Sequence, residues 1–445
     1  MSRDPGVDAL RVTATAGVVL GHWLVTAPTL VDGTVRLDSP LRTMPALGPA
    51  TWLFQTLGLF FLVAGFGAAR SRAATEDGAL RWWWRRVRAL AVPVGALVGT
   101  VAAVGVALAL HGAAQGLVRA VVVLSLSPLW FLGVHLTLLA ATPLFLRLDD
   151  RLGTWAVAVP VGLAVLAPVA GPAGTAVLTG WWVPWQLGIA LARRPLPRPA
   201  ALVLLAGGIA GVLLLVTVGG FPATAVGVRG AARSNLDPPT APTVCLALAQ
   251  AGLASLLLPR LARLGRSRAV AAADRAALPV FLLHLPLLTA LWLVTAPAGP
   301  LPGLHDVPTD GSWLLARCGW ALATAGLLVV LAAARRSAPS ARDALLPRAG
   351  RDRLGHRGGH PPVQWTGHDV PGAQLVADHV GDGGRRGELH LLGDGVRPGV
   401  DGTPEHPREG QHVVDLVGQV AAPGGDDGGV PRGHLRVDLG GRVGE

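Results

Sequence analysis

Arg11 and His22 stand eleven residues apart, and His22 is the sole ionisable group between residues 12 and 30. At about 100° per residue, an eleven-residue step returns to within ~20° of its starting direction, so in a helix both side chains share one face. They are then roughly 16 Å apart along the axis. Arginine at one end of such a face suits an anionic group, and histidine at the other can take or give a proton near neutral pH. Ionisable side chains inside an apolar helix are costly and mark a functional interior. The plainer alternative is that Arg11 reaches the surface and pairs with Asp8 while His22 bonds a neighbouring helix.

Further candidates follow along the chain. The cluster Arg81-Trp82-Trp83-Trp84-Arg85-Arg86-Val87-Arg88 sets Arg85 and Arg88 three apart, where two guanidiniums can grip phosphate from one helix face. An aromatic and basic belt at a membrane surface is the ordinary reading of the same residues. Leu59 to Gly67 places Gly65 and Gly67 around Phe66, a spacing that suits close helix packing. Trp130 and His135 open one apolar segment, and His284 sits in another between Pro279 and Pro286. Each of these histidines is either a packing group or a supporting group of a site.

The elements that must hold these residues are membrane helices. The chain is 51% hydrophobic with a mean hydropathy of +0.49, and its apolar runs are too long and too many for a soluble core. The expected fold is all-α, a polytopic bundle of ten spans. These lie near 9–30, 47–69, 89–110, 128–146, 154–171, 175–192, 199–217, 243–260, 277–296 and 313–334. The first run is read as a retained anchor, because further spans follow at once. No Lys occurs, and most Arg of this region fall in 70–88, 147–153, 193–198, 260–275 and 335–342. By the positive-inside rule these segments and the N-terminus face the cytoplasm of a multi-pass cell-membrane protein. The basic balance thus speaks for topology and contact with the lipid bilayer, not for nucleic acid, since no soluble basic module with interleaved aromatics occurs. Cys245 and Cys318 both lie in apolar segments, so neither a disulfide framework nor a cysteine metal site is expected. The absence of Lys and Tyr and the single Asn suggest a GC-rich coding sequence.

Near residue 345 the composition changes. Beyond it there is no Phe, one Trp, and eight of the thirteen His among many Gly, Arg and Asp. The expected division is a membrane domain at 1–344 and a tail at 345–445. That tail cannot bury enough apolar surface to offset its ordering entropy and is expected to be disordered. His356, His360, His368, His379, His390, His406, His412 and His434 show no ligand spacing, so no metal site is expected. The abrupt shift also suits an out-of-frame product, which resequencing codons 335–360 would exclude by finding the frame intact.

Taken together and in this order, the blocks resemble the acyltransferase-3 family of integral membrane O-acyltransferases. Arg11 with His22 is similar to the family's Arg-x10-His, and Arg85 with Arg88 to its Arg-x-x-Arg. Phe60, Phe61, Gly65 and Phe66, the Leu-Trp-Phe-Leu at 129–132 and the Leu-His-x-Pro around His284 also resemble family blocks. The run Leu20 to Trp23, with Trp52 to Gln55, is similar to a subgroup common in actinobacteria. Ala64, Gly67, Ala68 and His135 depart from the usual residues at their positions.

The resemblance covers roughly residues 5–335. It implies transfer of an acyl group, acetyl in the first instance, from acyl-CoA as co-substrate to a hydroxyl on a carbohydrate, a cell-envelope glycan or a secondary metabolite, with no bound cofactor. It implies His22 as the base and Arg11, Arg85 and Arg88 as phosphate-binding groups, with Trp130, His135 and His284 as acceptor or supporting residues. A transporter or flippase of an amphiphile is the rival class, as is a non-catalytic relative. The central parts of the spans hold no Asp or Glu of the kind that proton-coupled carriers use as relays. Because every block precedes residue 345, truncation after Ala344 is expected to leave transfer intact, and loss of transfer by correctly inserted truncated protein would assign the tail a function.

Overall fold

The computed structural model describes residues 4–31, 34–170, 173–228 and 230–337. The expectations for the tail from residue 345 therefore lie outside the described residues. Helix dominates throughout. In chain order the longer elements begin with α1 (Pro5–Val25), a hairpin of β1 (Ala27–Val31) and β2 (Thr34–Asp38), the short helices α2 (Pro40–Thr43) and α3 (Thr51–Phe54), and α4 (Leu57–Ala73). There follow α5 (Ala79–Leu110), α6 (Gln115–Leu126), α7 (Trp130–Leu152), α8 (Ala158–Ala170) and α9 (Ala173–Arg193). The last four are α10 (Arg198–Thr217), α11 (Ala241–Leu264), α12 (Arg268–Thr295) and α13 (Gly311–Ser337). Each of the ten expected spans falls on α1, α4, α5 or one of α7 to α13.

Among the described residues, seven helical segments are long and apolar enough to cross a membrane. The segments holding α1 and α9 are not among them, for a physical reason. Helix α9 is interior, with Trp181, Val183, Trp185, Gln186 and Ile189 at 1% exposure or less. By contrast, only 11% of the apolar window in α10 is buried. Interior helices can carry polar groups that find partners, whereas the outer ones present hydrocarbon alone, as a lipid-facing surface must.

Local chemistry accounts for several boundaries that differ from the sequence expectation. Helix α1 starts four residues earlier, because Asp4 accepts hydrogen bonds from the amides of Gly6 and Val7, and Pro5 occupies the first turn. It stops at Val25, since Pro28 holds Ala27 extended and the chain turns into the hairpin. The second span is broken at Gln55 and Thr56, where Gln55 Oε1 accepts from the amide of Leu57. Helix α5 begins ten residues before the expected span, so the whole Arg-Trp cluster is helical. Helix α6 is an additional short helix between the third and fourth expected spans.

Two features set the positions of the helices that matter below. Helices α4 and α9 pack backbone to backbone through Gly65 and Gly188. A Cβ on Gly65 would come within 2.2 Å of the Trp185 carbonyl, and one on Gly188 within 2.0 Å of the Leu62 carbonyl. Across the bundle, the segment between α10 and α11 is stitched by the chain's single asparagine. Asn235 is fully buried and donates from Nδ2 to the carbonyls of Pro222 and Thr224, while its Oδ1 accepts from Thr240. The same segment is pinned to α3, since the Ala225 amide donates to Thr51 Oγ1 and Trp52 Nε1 donates to the Ala223 carbonyl.

Gly65→Ala should cost about 1–3 kcal/mol by overpacking this contact. Gly67→Ala, whose added Cβ meets nothing within 4 Å, should change stability by less than ~1 kcal/mol, towards greater stability. Thermal unfolding of the two variants in one detergent checks the contrast.

Candidate functional site

The site is assembled on two parallel helices. Arg11 donates from Nη1 to Asp274 Oδ1 at 2.5 Å and to Asp8 Oδ1 at 3.4 Å. Eleven residues further along α1, His22 Nδ1 lies 2.7 Å from His284 Nε2. Asp274 and His284 are themselves ten residues apart on α12. Steps of eleven and ten residues correspond to about 16 and 15 Å along a helix, so two helices running side by side in the same direction meet at both rungs. Asp274 was not singled out by sequence, because its relation to Arg11 exists only across the α1–α12 contact. Arg11 does pair with Asp8, as the plainer reading had it.

The histidine rung has a defined hydrogen-bond order. His284 is fully buried, and its Nδ1 lies 2.6 Å from the Phe281 carbonyl oxygen. A carbonyl only accepts, so that nitrogen carries the proton and the Nε2 of a neutral His284 is an acceptor. It then receives the Nδ1 proton of His22, which leaves His22 Nε2 with a free lone pair. The two rings are nearly parallel, at 6° with centroids 5.0 Å apart. The end of α1 is held on both sides of this pair. Trp23 Nε1 donates to the His284 carbonyl at 2.9 Å. Arg317 of α13, 1% exposed, donates to the carbonyls of Trp23, Thr26 and Gly303. Those carbonyls at the end of α1 lack helical partners, and a buried guanidinium with five donors satisfies several at once.

A cavity borders each rung. One, of about 410 Å³, is lined by Arg11, Phe60, Gly67, Ser71, Arg86 and His135 among others. The other, of about 230 Å³, is lined by His22 with residues of α1, α3, α13 and the two connecting segments. Gln55 also lines this second cavity. It is 4% exposed, and its Nε2 has no hydrogen-bond partner although its Oε1 is used by Leu57.

The remaining expected residues fall as follows. Arg85 and Arg88 are both exposed on α5, and Arg85 is ion-paired with Asp77 and donates to Thr75 Oγ1. Between them Arg86, which the sequence analysis passed over, lies over the Trp82 ring at 4.2 Å and shares the larger cavity with Arg11. His135 lines that cavity too, with its Nδ1 buried and unpartnered, so it is brought together with Arg11 and not with the histidine pair. Trp130 packs its ring edge-on against Phe131 and lines neither cavity. Gln55, like Asp274 and Arg317, was not marked as a site residue by the sequence. A lone glutamine carries no spacing signal, and only its orphaned donor marks it.

Helices of spanning length, outer faces of bare hydrocarbon, and an Arg–Asp and His–His ladder joining α1 to α12 define a multi-pass membrane protein. Residues 4–334 match the family described as an acyltransferase domain, Acyl_transf_3. The chain belongs to this acyltransferase-3 family of membrane proteins. Comparison with curated proteins and with solved structures gave no match.

Proposed function

We propose that the chain is an O-acyltransferase, of the actinobacterial type within its family, that carries an acyl group from cytoplasmic acyl-CoA to a hydroxyl-bearing acceptor. Acetyl is the simplest donor group. The observation that carries this reading is the ordered chain from the Phe281 carbonyl through His284 to His22, which leaves His22 Nε2 free beside a cavity. An alcohol is a weak nucleophile at neutral pH and needs such a base.

In the proposed step the acceptor oxygen adds to the thioester carbonyl carbon, and its proton passes to His22 Nε2. The C=O pair moves onto oxygen. When that pair returns, the C–S bond breaks, and the departing sulfur of CoA takes the proton from His22. His284 holds the His22 ring and its tautomer through both stages, and is itself oriented by the Phe281 carbonyl.

Arg11, Arg85 and Arg88 belong in this reading to the donor side. They stand toward the arginine-rich face that the positive-inside rule makes cytoplasmic, with the N-terminus on that side. The rise of roughly 16 Å from Arg11 to His22 suits an extended pantetheine arm. Arg85 exchanges Asp77 for phosphate when the donor binds, and Arg86 in the larger cavity is a further cation for the same anion.

His22→Ala should lower transfer from radiolabelled acetyl-CoA by roughly 10²–10⁴-fold at normal abundance. His284→Ala should lower kcat less, with the KM for donor unchanged. Full activity in His22→Ala membranes would remove it as the base. Arg85→Ala with Arg88→Ala should raise the KM for acyl-CoA by about tenfold or more, the worth of a lost charge-assisted contact, and an unchanged KM would contradict the phosphate role.

A further inference from the structure

The second cavity has a chemistry of its own. Leu24, Leu41, Leu47, Val226, Leu236 and Leu314 form most of its wall, and its polar lining consists of His22, Thr51, Gln55 and the weakly polar Cys318. Thr51 is already engaged. Its hydroxyl donates to the Gly48 carbonyl at 2.6 Å and accepts from the Ala225 amide at 2.8 Å. Among the side chains of this wall that leaves one acceptor, His22 Nε2, and one donor, the unpartnered Nε2 of Gln55, whose own backbone carbonyl accepts from Gln250 Nε2 at 2.6 Å behind the wall. A hydroxyl group presents one proton and lone pairs, so one acceptor and one donor satisfy a single hydroxyl and no more.

We propose that this cavity is the acceptor site, and that it takes an apolar alcohol, a largely hydrocarbon molecule with an isolated hydroxyl, in preference to a free sugar. The inference rests on the acyltransferase reading for what happens to the hydroxyl, and on the lining for which molecule binds. The hydroxyl donates to His22 Nε2 and accepts from Gln55 Nε2, while the body of the molecule lies against the leucines and valines. A hexose would bring several more hydroxyls against a wall whose side chains offer no further partners, each unpaired group costing roughly tenfold or more in affinity. The placement supports an acceptor over the tail of a long acyl donor. The cavity is beside His22 and away from Arg11, and it is bordered by the α1–α3 connection and the Asn235-stitched segment, with no arginine in its lining.

The test is ligand-observed saturation-transfer NMR on the full chain in phosphatidylcholine nanodiscs, with empty nanodiscs as the blank. Menthol, menthyl methyl ether, which lacks the donor hydrogen, and methyl α-glucoside are the probes. Menthol is expected to bind, the ether to bind about tenfold more weakly, and the glucoside not to bind. Gln55→Glu keeps the acceptor for the Leu57 amide and removes the orphan donor, so it should weaken menthol by about tenfold. Leu314→Trp should exclude menthol by filling the space.

Because binding is read without catalysis, these results stand or fall apart from the transfer reaction. Menthol binding without any acetylation from acetyl-CoA would support the cavity assignment while counting against the acyltransferase reading. Glucoside binding equal to menthol would overturn the proposal. So would unchanged menthol binding in both variants, or a Leu314→Trp variant that binds menthol normally but accepts only shorter acyl-CoA chains.

Discussion

The parallel contact of α1 with α12 is the constraint on which the candidate site depends. A guanidinium within an apolar bundle needs an anion, and an imidazole aligned for proton transfer needs a partner that sets its tautomer. Helix α12 supplies both, at Asp274 and His284, in nearly the same axial interval that separates Arg11 from His22 on α1. Neither rung can slide without breaking the other. Sliding either helix by one residue would separate Arg11 from Asp274 and His22 from His284 together, so the ladder is also a register lock between the two helices.

Other parts of the molecule serve to keep that ladder in place. Arg317 ties the carbonyls at the end of α1 to α13, and Trp23 ties the same turn to the His284 backbone. Burying an arginine is costly unless its donors are used, and two of its three carbonyl partners, Trp23 and Thr26, are themselves orphans of the end of α1, so each group relieves the other. On the opposite side α4, which lines the cavity at Arg11, is seated on α9 by Gly65 and Gly188 without intervening side chains. At the far ends of α7 and α9, Asp149 is buried and accepts from both Arg193 and Arg194. The cavities therefore lie between helices whose separations are set by backbone contact and ion pairs.

The two cavities divide the proposed chemistry by polarity. The one at Arg11 and Arg86 is cationic and suits a phosphate-bearing donor, and the one at His22 is apolar with a single orphaned donor at Gln55. This arrangement narrows the broad acceptor class that a family resemblance implies. Resemblance speaks for the reaction, and the wall of a pocket speaks for the molecule that enters it.

Much of this was written in the chain. Hydropathy runs located the ten helices, because the part of a helix that faces lipid must be apolar, but not the polar extensions by which α5 and α12 begin ten and nine residues earlier. Arg11 and His22 could be set on one face, since helical periodicity is a local property. The sequence could also mark Arg85, Arg88, His135 and His284 as polar groups out of keeping with their surroundings. It could not pair Arg11 with Asp274 or His22 with His284, more than 260 residues away, because such contacts depend on which helices pack together and in which direction. Nor could it separate Gly65, wedged against α9, from Gly67, which borders a cavity, or single out Arg86 from the arginines beside it. Local spacing decides the face of a helix; only the assembled bundle decides what that face meets, and with it which donor, like that of Gln55, is left waiting for a partner.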